Sequence, residues 1–117
     1  MSEITIEELS GRLGEVAVLD VRTAGEFDGS NGKPCDPRQG HIPGARNVDV
    51  YRLMNLDLAQ IDAELGVEAG GEVIAYCHSG SRSAIATQML RALGYDARNY
   101  VGSWHEWSRH DDLPIES

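Results

Sequence analysis

Cys77 stands in the string Cys77-His78-Ser79-Gly80-Ser81-Arg82, and its surroundings mark it as a nucleophile. Upstream, Glu72 to Tyr76 is an apolar run of strand length. Downstream, Ser83 to Leu93 carries Ile85, Met89, Leu90 and Leu93 at helical spacing and closes at Gly94. A cysteine that ends a strand and opens a helix meets unpaired backbone N–H groups and the positive end of the helix dipole. Both favour the thiolate over a thiol whose free pKa is about 8.5. Gly80 permits positive φ or close backbone approach, and Ser79 and Ser81 leave the concave side of the loop open, so the loop forms an anion nest. Arg82 adds a permanent charge and a planar fork of donors suited to a sulfonate, sulfate-like or phosphate group. Cys77 and Arg82 are therefore the expected catalytic residues, with His78, Ser79, Gly80, Ser81, Arg82 and Ser83 lining the substrate. The competing reading makes Cys77 a small buried residue at a strand end and Arg82 a solvated or carboxylate-paired cation.

The elements that must position this loop alternate between strand and helix. Thr5-Ile6-Glu7-Glu8 and Thr23-Ala24-Gly25-Glu26 have the form of capping boxes, the first opening a short helix through Leu9 and Leu13, the second a brief helical turn. Val16 to Val21 is a nearly continuous apolar run, as in a central parallel strand covered on both faces. Residues 28–40 form the longest loop. Ala45 to Val48 predicts a short strand, Leu56 to Leu65 a helix, Asn99 to Val101 a last short strand and Trp104 to Arg109 a short helix. The alternation implies a parallel α/β sheet, whose ligands sit beyond the carboxyl ends of the strands, where the Cys77 loop falls.

The chain has 117 residues with no repeat, linker or composition shift, so residues 1–117 are expected to form a single domain. Ten basic against nineteen acidic residues give a net charge of −9, which works against nucleic acid or an anionic membrane surface as partners. A small anionic substrate would need the local charge of Arg82 to outweigh that field. Met1-Ser2-Glu3-Ile4 carries no basic segment followed by an apolar run, and no stretch approaches transmembrane length, so a cytoplasmic location is expected. Cys35 and Cys77, far apart in dissimilar contexts, predict reduced thiols rather than a disulfide.

Four strings occur in the order found in the rhodanese (thiosulfate sulfurtransferase) family, which the chain resembles over nearly its whole length. They are Leu19-Asp20-Val21-Arg22 with Glu26-Phe27; Gly40-His41-Ile42-Pro43-Gly44-Ala45; Tyr76 to Ser83; and Gly102 to Trp107 with Leu113-Pro114-Ile115-Glu116. The resemblance implies a three-layer α/β/α domain around a five-stranded, mainly parallel sheet. It also implies that the Cys77 thiolate takes the sulfane sulfur of thiosulfate, releases sulfite, and passes the sulfur to cyanide or to a thiol such as glutathione or thioredoxin. The loop N–H groups would hold the persulfide and Arg82 the sulfonate oxygens. No cofactor is implied. The alternatives are a non-catalytic persulfide carrier or binding module and, on a loop one residue longer than the four residues between Cys77 and Arg82, a phosphatase or arsenate reductase. The shorter ring favours sulfur. The loop also lacks the pattern of mercaptopyruvate sulfurtransferases, which makes thiosulfate the first expected donor.

Asp20 and Arg22 are read as a structural pair at a strand end, and Glu26, where some family members carry Arg, leaves anion binding to Arg82. His41 is expected to make a fixed hydrogen bond in its turn, and His78 to tune access or accept a proton. Trp104 and Trp107, three apart, share a helix face and are expected in the core, with the wall of the active-site mouth as the alternative that the resemblance offers. Cys35, in the long loop, is read as an incidental exposed thiol, with sulfur relay or a disulfide to Cys77 as the alternative. The four histidines and two cysteines show no short metal-ligand spacing, so no metal is expected.

Overall fold

Both threonine strings close as capping boxes. In the computed structural model, which describes residues 3–67 and 70–117, the Thr5 hydroxyl accepts the Glu8 N–H at 3.2 Å and the Glu8 carboxylate accepts the Thr5 N–H at 3.3 Å. These bonds start helix α1 (Ile6–Ser10). Thr23 and Glu26 repeat the arrangement at the start of α2 (Ala24–Asp28). Met1 and Ser2, part of the N-terminal string considered above, lie outside the described residues.

Among the described residues the sheet holds four strands, β1 (Ala17–Asp20), β2 (Arg46–Asn47), β3 (Glu72–Tyr76) and β4 (Asp96–Asn99), all parallel in the order β2-β1-β3-β4. The remaining helices are α3 (Val50–Leu53), α4 (Leu58–Leu65), α5 (Ser81–Ala92) and α6 (Ser103–Trp107). Alternate strand residues point to opposite faces. Leu19, Val73, Ala75 and Ala97 pack with Val50, Leu53, Ile61, Leu65, Ala86 and Leu90 of α3, α4 and α5. Val18, Ile74 and Tyr76 pack with Ile6, Leu9, Trp104 and Trp107 of α1 and α6. The result is the expected three layers.

Among the described residues no fifth strand forms: Glu3 makes a single parallel bridge to Asn99, and the chain turns into the Thr5-capped helix two residues later. The last strand is displaced from residues 99–101 to 96–99. The predicted helix over 56–65 begins at Leu58, capped by Asp57, and a separate turn, α3, precedes it. In α5 the face toward the sheet is Ser83, Ala86, Thr87 and Leu90, whereas Ile85 is 52% and Leu93 39% exposed. Small side chains beside Leu90 let this helix approach the strands closely, and Ile85 and Leu93 fall on its outer side.

From β1 the chain moves outward to β2, and from β3 it moves outward the other way to β4. The carboxyl ends of β1 and β3 are therefore the switch point of the sheet. Asp20 ends one and Tyr76 the other, with Cys77 next.

Candidate active site

Cys77 is buried at the junction of β3 and α5, and its sulfur accepts the Gly80 N–H at 3.1 Å and the Ser83 hydroxyl at 3.4 Å. Burial alone would push the Cys77 thiol up. The Ser83 hydroxyl and the backbone N–H groups of Ser83, Gly80 and Ser79 outweigh it and hold the thiol below its ordinary value.

The loop keeps its N–H groups inward because its carbonyls are used elsewhere. The Cys77 and His78 carbonyls accept the Trp104 and His105 N–H groups at 3.0 and 2.9 Å, and the Gly80 carbonyl accepts the Asn99 side-chain amide at 3.2 Å. The Cys77 N–H donates to the Ser103 hydroxyl at 3.1 Å, which donates to the Tyr100 carbonyl at 2.8 Å. Ser103 holds φ 56°, the only left-handed non-glycine among the described residues. Gly80 itself has φ 98°, and a Cβ there would lie 2.8 Å from the Val101 carbonyl oxygen, so glycine is needed for both conformation and space. Asn99 and Ser103 carry no sequence signal as site residues, because each acts through a hydrogen bond to loop backbone, 19 positions away for Asn99 and 26 for Ser103.

Arg82 is not free. Its guanidinium donates to both oxygens of Glu26 at 2.9 and 3.2 Å, joining α5 to α2 across the switch point. Burial raises the Glu26 carboxyl, yet the Arg82 hydrogen bonds and charge, with the bonds from Thr23, bring it down to about 2. The capping box thus does two things: it starts α2 and presents a fixed carboxylate to Arg82.

Beneath the loop, Asp20 and Arg22 form the structural pair read from the sequence, and both are buried. Asp20 accepts the Tyr76 hydroxyl and an Arg22 Nη2 proton, each at 2.7 Å, and Arg22 also donates to the Gly40 carbonyl at 2.6 Å. The guanidinium lies 5.1 Å from the Trp104 ring centre. This network binds β1, β3, the 40–42 turn and α6 into one frame. His41 Nδ1–H donates its fixed bond to the Phe27 carbonyl, 2.8 Å away, and the imidazole stacks on the Phe27 ring. Trp104 and Trp107 are both fully buried core residues.

The long loop folds over the same end. The Arg38 guanidinium donates to the carbonyls of Trp107, Ser108, His110 and Leu113, closing the end of α6. Cys35 is exposed and free, with its sulfur 3.9 Å from His78 Nε2, and His78 lies against the buried Asp36. Among the described residues no helix is long and apolar enough to cross a membrane.

The family model described as Rhodanese-like domain matches residues 5–110. The thiosulfate sulfurtransferase of Pseudomonas aeruginosa is 37% identical over 96% of this chain, and that of Azotobacter vinelandii 36% identical over 92%. The chain spans less than half the length of each, 45% and 43%. A crystal structure of a probable thiosulfate sulfurtransferase superposes with a TM-score of 0.83 at 42% identity, over 99% of this chain and 48% of that one. The human single-domain sulfurtransferase TSTD1 superposes at 0.72 with 30% identity, over 96% of this chain and 99% of its own.

Proposed function

The chain belongs to the rhodanese family, and from that premise we propose that it is a sulfurtransferase carrying sulfane sulfur on Cys77 from thiosulfate, or a related anionic donor, to cyanide or a thiol acceptor. The observation that carries the reading is the Cys77 sulfur, held by the Gly80 N–H and the Ser83 hydroxyl at the start of α5. Residues 1–117 act as one unit, and the two free thiols suit a reducing compartment such as the cytoplasm.

In the first step the Cys77 thiolate attacks the outer sulfur of thiosulfate. A Cys77–S bond forms, the bond between the two thiosulfate sulfurs breaks, and sulfite leaves with its electron pair. In the second, cyanide or a thiolate attacks the terminal sulfur of the persulfide, giving thiocyanate or a new persulfide and regenerating the Cys77 thiolate. The exchange needs no redox partner. The inward N–H groups of Ser79, Gly80 and Ser83 stabilise the anionic sulfur in both resting and loaded forms, and His78, Ser79, Gly80, Ser81 and Ser83 surround the donor. Arg82 keeps the donors that Glu26 leaves free for the sulfonate oxygens. The close embrace of a single sulfur atom by a four-residue turn favours sulfur over a tetrahedral phosphate or arsenate.

The Glu26–Arg82 pair gives one observation in favour of a second reading, a persulfide carrier loaded by a protein donor. With its charge compensated, Arg82 attracts free thiosulfate less strongly. Mass spectrometry after thiosulfate treatment tests both readings. The enzyme reading expects the mass of one added sulfur on Cys77, removal of it by cyanide with thiocyanate formed over many turnovers, and neither in a folded Cys77→Ser protein. A persulfide that forms only from a protein donor, with negligible thiosulfate turnover, selects the carrier. No adduct on Cys77 from any donor overturns both.

A further inference from the structure

Four side chains that the sequence scatters over seventy positions meet at one point beside the Cys77 loop. Cys35 and Asp36 come from the long loop, His78 from the turn after β3, and His105 from α6. One ligand-type atom from each lies within 4.8 Å of the others. The Cys35 sulfur is 3.8 Å from Asp36 Oδ1 and 3.9 Å from His78 Nε2. His78 Nε2 is 3.0 Å from Asp36 Oδ2, and His105 Nδ1 is 3.9 Å from Asp36 Oδ1. Ligand atoms around a tetrahedral zinc ion stand roughly 3.3 to 3.8 Å apart, from bonds of about 2.0 to 2.3 Å. The cluster is already within about an ångström of that shape.

A second observation points into the same space. Asp36 has a side chain only 1% exposed; its Oδ1 faces Arg109 and His78 Nε2 at 3.1 and 3.2 Å, while its Oδ2 holds no hydrogen bond of its own and lies 3.0 Å from that same His78 nitrogen. A buried carboxylate oxygen that must share one imidazole nitrogen with its twin is poorly satisfied, and a cation at the centre of the cluster would satisfy it. Arg109 engages the other oxygen, Oδ1, at 3.1 Å, and donates to the Cys35 carbonyl at 2.8 Å. It therefore fixes the loop while leaving Oδ2 to a ligand. Cys35 and His105 are exposed, which gives an ion a way in from solvent.

We propose that Cys35, Asp36, His78 and His105 form a binding site for a divalent transition metal of the zinc class. One thiolate, two imidazoles and one carboxylate are the donor set such ions prefer over magnesium or calcium. On binding, the Cys35 thiol releases its proton to solvent, and His78 presents the Nε2 lone pair. The thiolate and carboxylate together neutralise the dication, and the chain's charge of −9 offsets the nearby Arg109. The site departs from the sequence expectation of no metal because the ligand spacing exists only in the fold. It does not depend on the sulfur-transfer reading, since its test measures no turnover.

The test is titration of the reduced, chelator-treated full chain with cobalt(II) as spectroscopic probe, followed by displacement with zinc. Expected are the intense visible bands of tetrahedral cobalt and a near-ultraviolet thiolate-to-cobalt band. The thiolate band should persist in Cys77→Ser and vanish in Cys35→Ser. His105→Ala should weaken binding on the order of tenfold or more. At one fixed zinc concentration the thermal midpoint of the parent chain should rise more than that of His105→Ala, with circular dichroism confirming that each variant is folded. A thiolate band that survives Cys35→Ser and is lost in Cys77→Ser places the metal on the loop nucleophile and overturns the site. So does an octahedral spectrum without a thiolate band, or an affinity unchanged by His105→Ala.

Discussion

Arg82 and Glu26 meet across the switch point of the sheet through two hydrogen bonds, of 2.9 and 3.2 Å, so the one cation of the Cys77–Arg82 string is matched by a carboxylate that a capping box holds in place. The loop's attraction for anions then comes mainly from backbone N–H groups, and Glu26 sets how much of the Arg82 charge a donor feels. Glu26→Gln keeps the capping hydrogen bond and removes the charge. The expected outcome is a several-fold lower KM for thiosulfate with a smaller change in kcat, read from steady-state thiocyanate formation. An unchanged or higher KM would show that Arg82 takes no part in donor binding.

The same pair makes stability depend on acid. Glu26 is held at about 2, against an ordinary value of 4.5. A carboxyl with a folded value below its unfolded one stabilises the fold while ionised. Its contribution is whole above about pH 4.5 and is lost as pH falls toward 2. Denaturation midpoints of the parent chain and Glu26→Gln should therefore converge over that window and differ by a constant amount above it. Parallel curves throughout would refute the assignment.

Ser83 is the side-chain donor to the Cys77 sulfur, and its loss should leave the thiol nearer its ordinary value. Ser83→Ala is expected to slow alkylation of Cys77 by iodoacetamide at neutral pH several-fold and to move the pH dependence of the rate upward. The measurement belongs in chelator, with Cys35 replaced by Ser so that a single thiol is followed. A pH profile that does not move would mean that the backbone N–H groups alone hold the thiolate.

Asp20→Ala leaves the Arg22 guanidinium buried without its countercharge and the Tyr76 hydroxyl without its acceptor. Breaking a buried pair in this way costs about 3–5 kcal/mol, and urea unfolding should show a loss in that range. Asp20→Asn keeps the shape and one acceptor and should lose less. A loss under about 1 kcal/mol, the level of a surface pair, would contradict a buried frame built on Asp20.

The Cys77 loop was legible because its chemistry is local: a strand, a turn and a helix in succession, with the cysteine at their junction. The two capping boxes were legible for the same reason, since each closes within four residues. What lies beyond the sequence is of another kind. Glu26 reads as a helix cap, and only the packing of α2 beside α5 makes it the partner of Arg82. On α5 the apolar spacing picks out Leu90, which is buried, together with Ile85 and Leu93, which lie outside, because close packing on a sheet selects the small Ser83, Ala86 and Thr87 for the inner face. His105 and Asp36 carry no signal of their own, being brought to His78 by α6 and by a loop without periodicity.

The N–H groups of Trp104 and His105, by occupying the Cys77 and His78 carbonyls, also bear on protein engineering. A six-residue graft of Cys77 to Arg82 onto another strand-to-helix junction would transplant the sulfur and the helix dipole but not the two donors that rotate the peptide planes. The transferable part is larger and discontinuous: the loop together with residues 103–105 and the strand end that carries them.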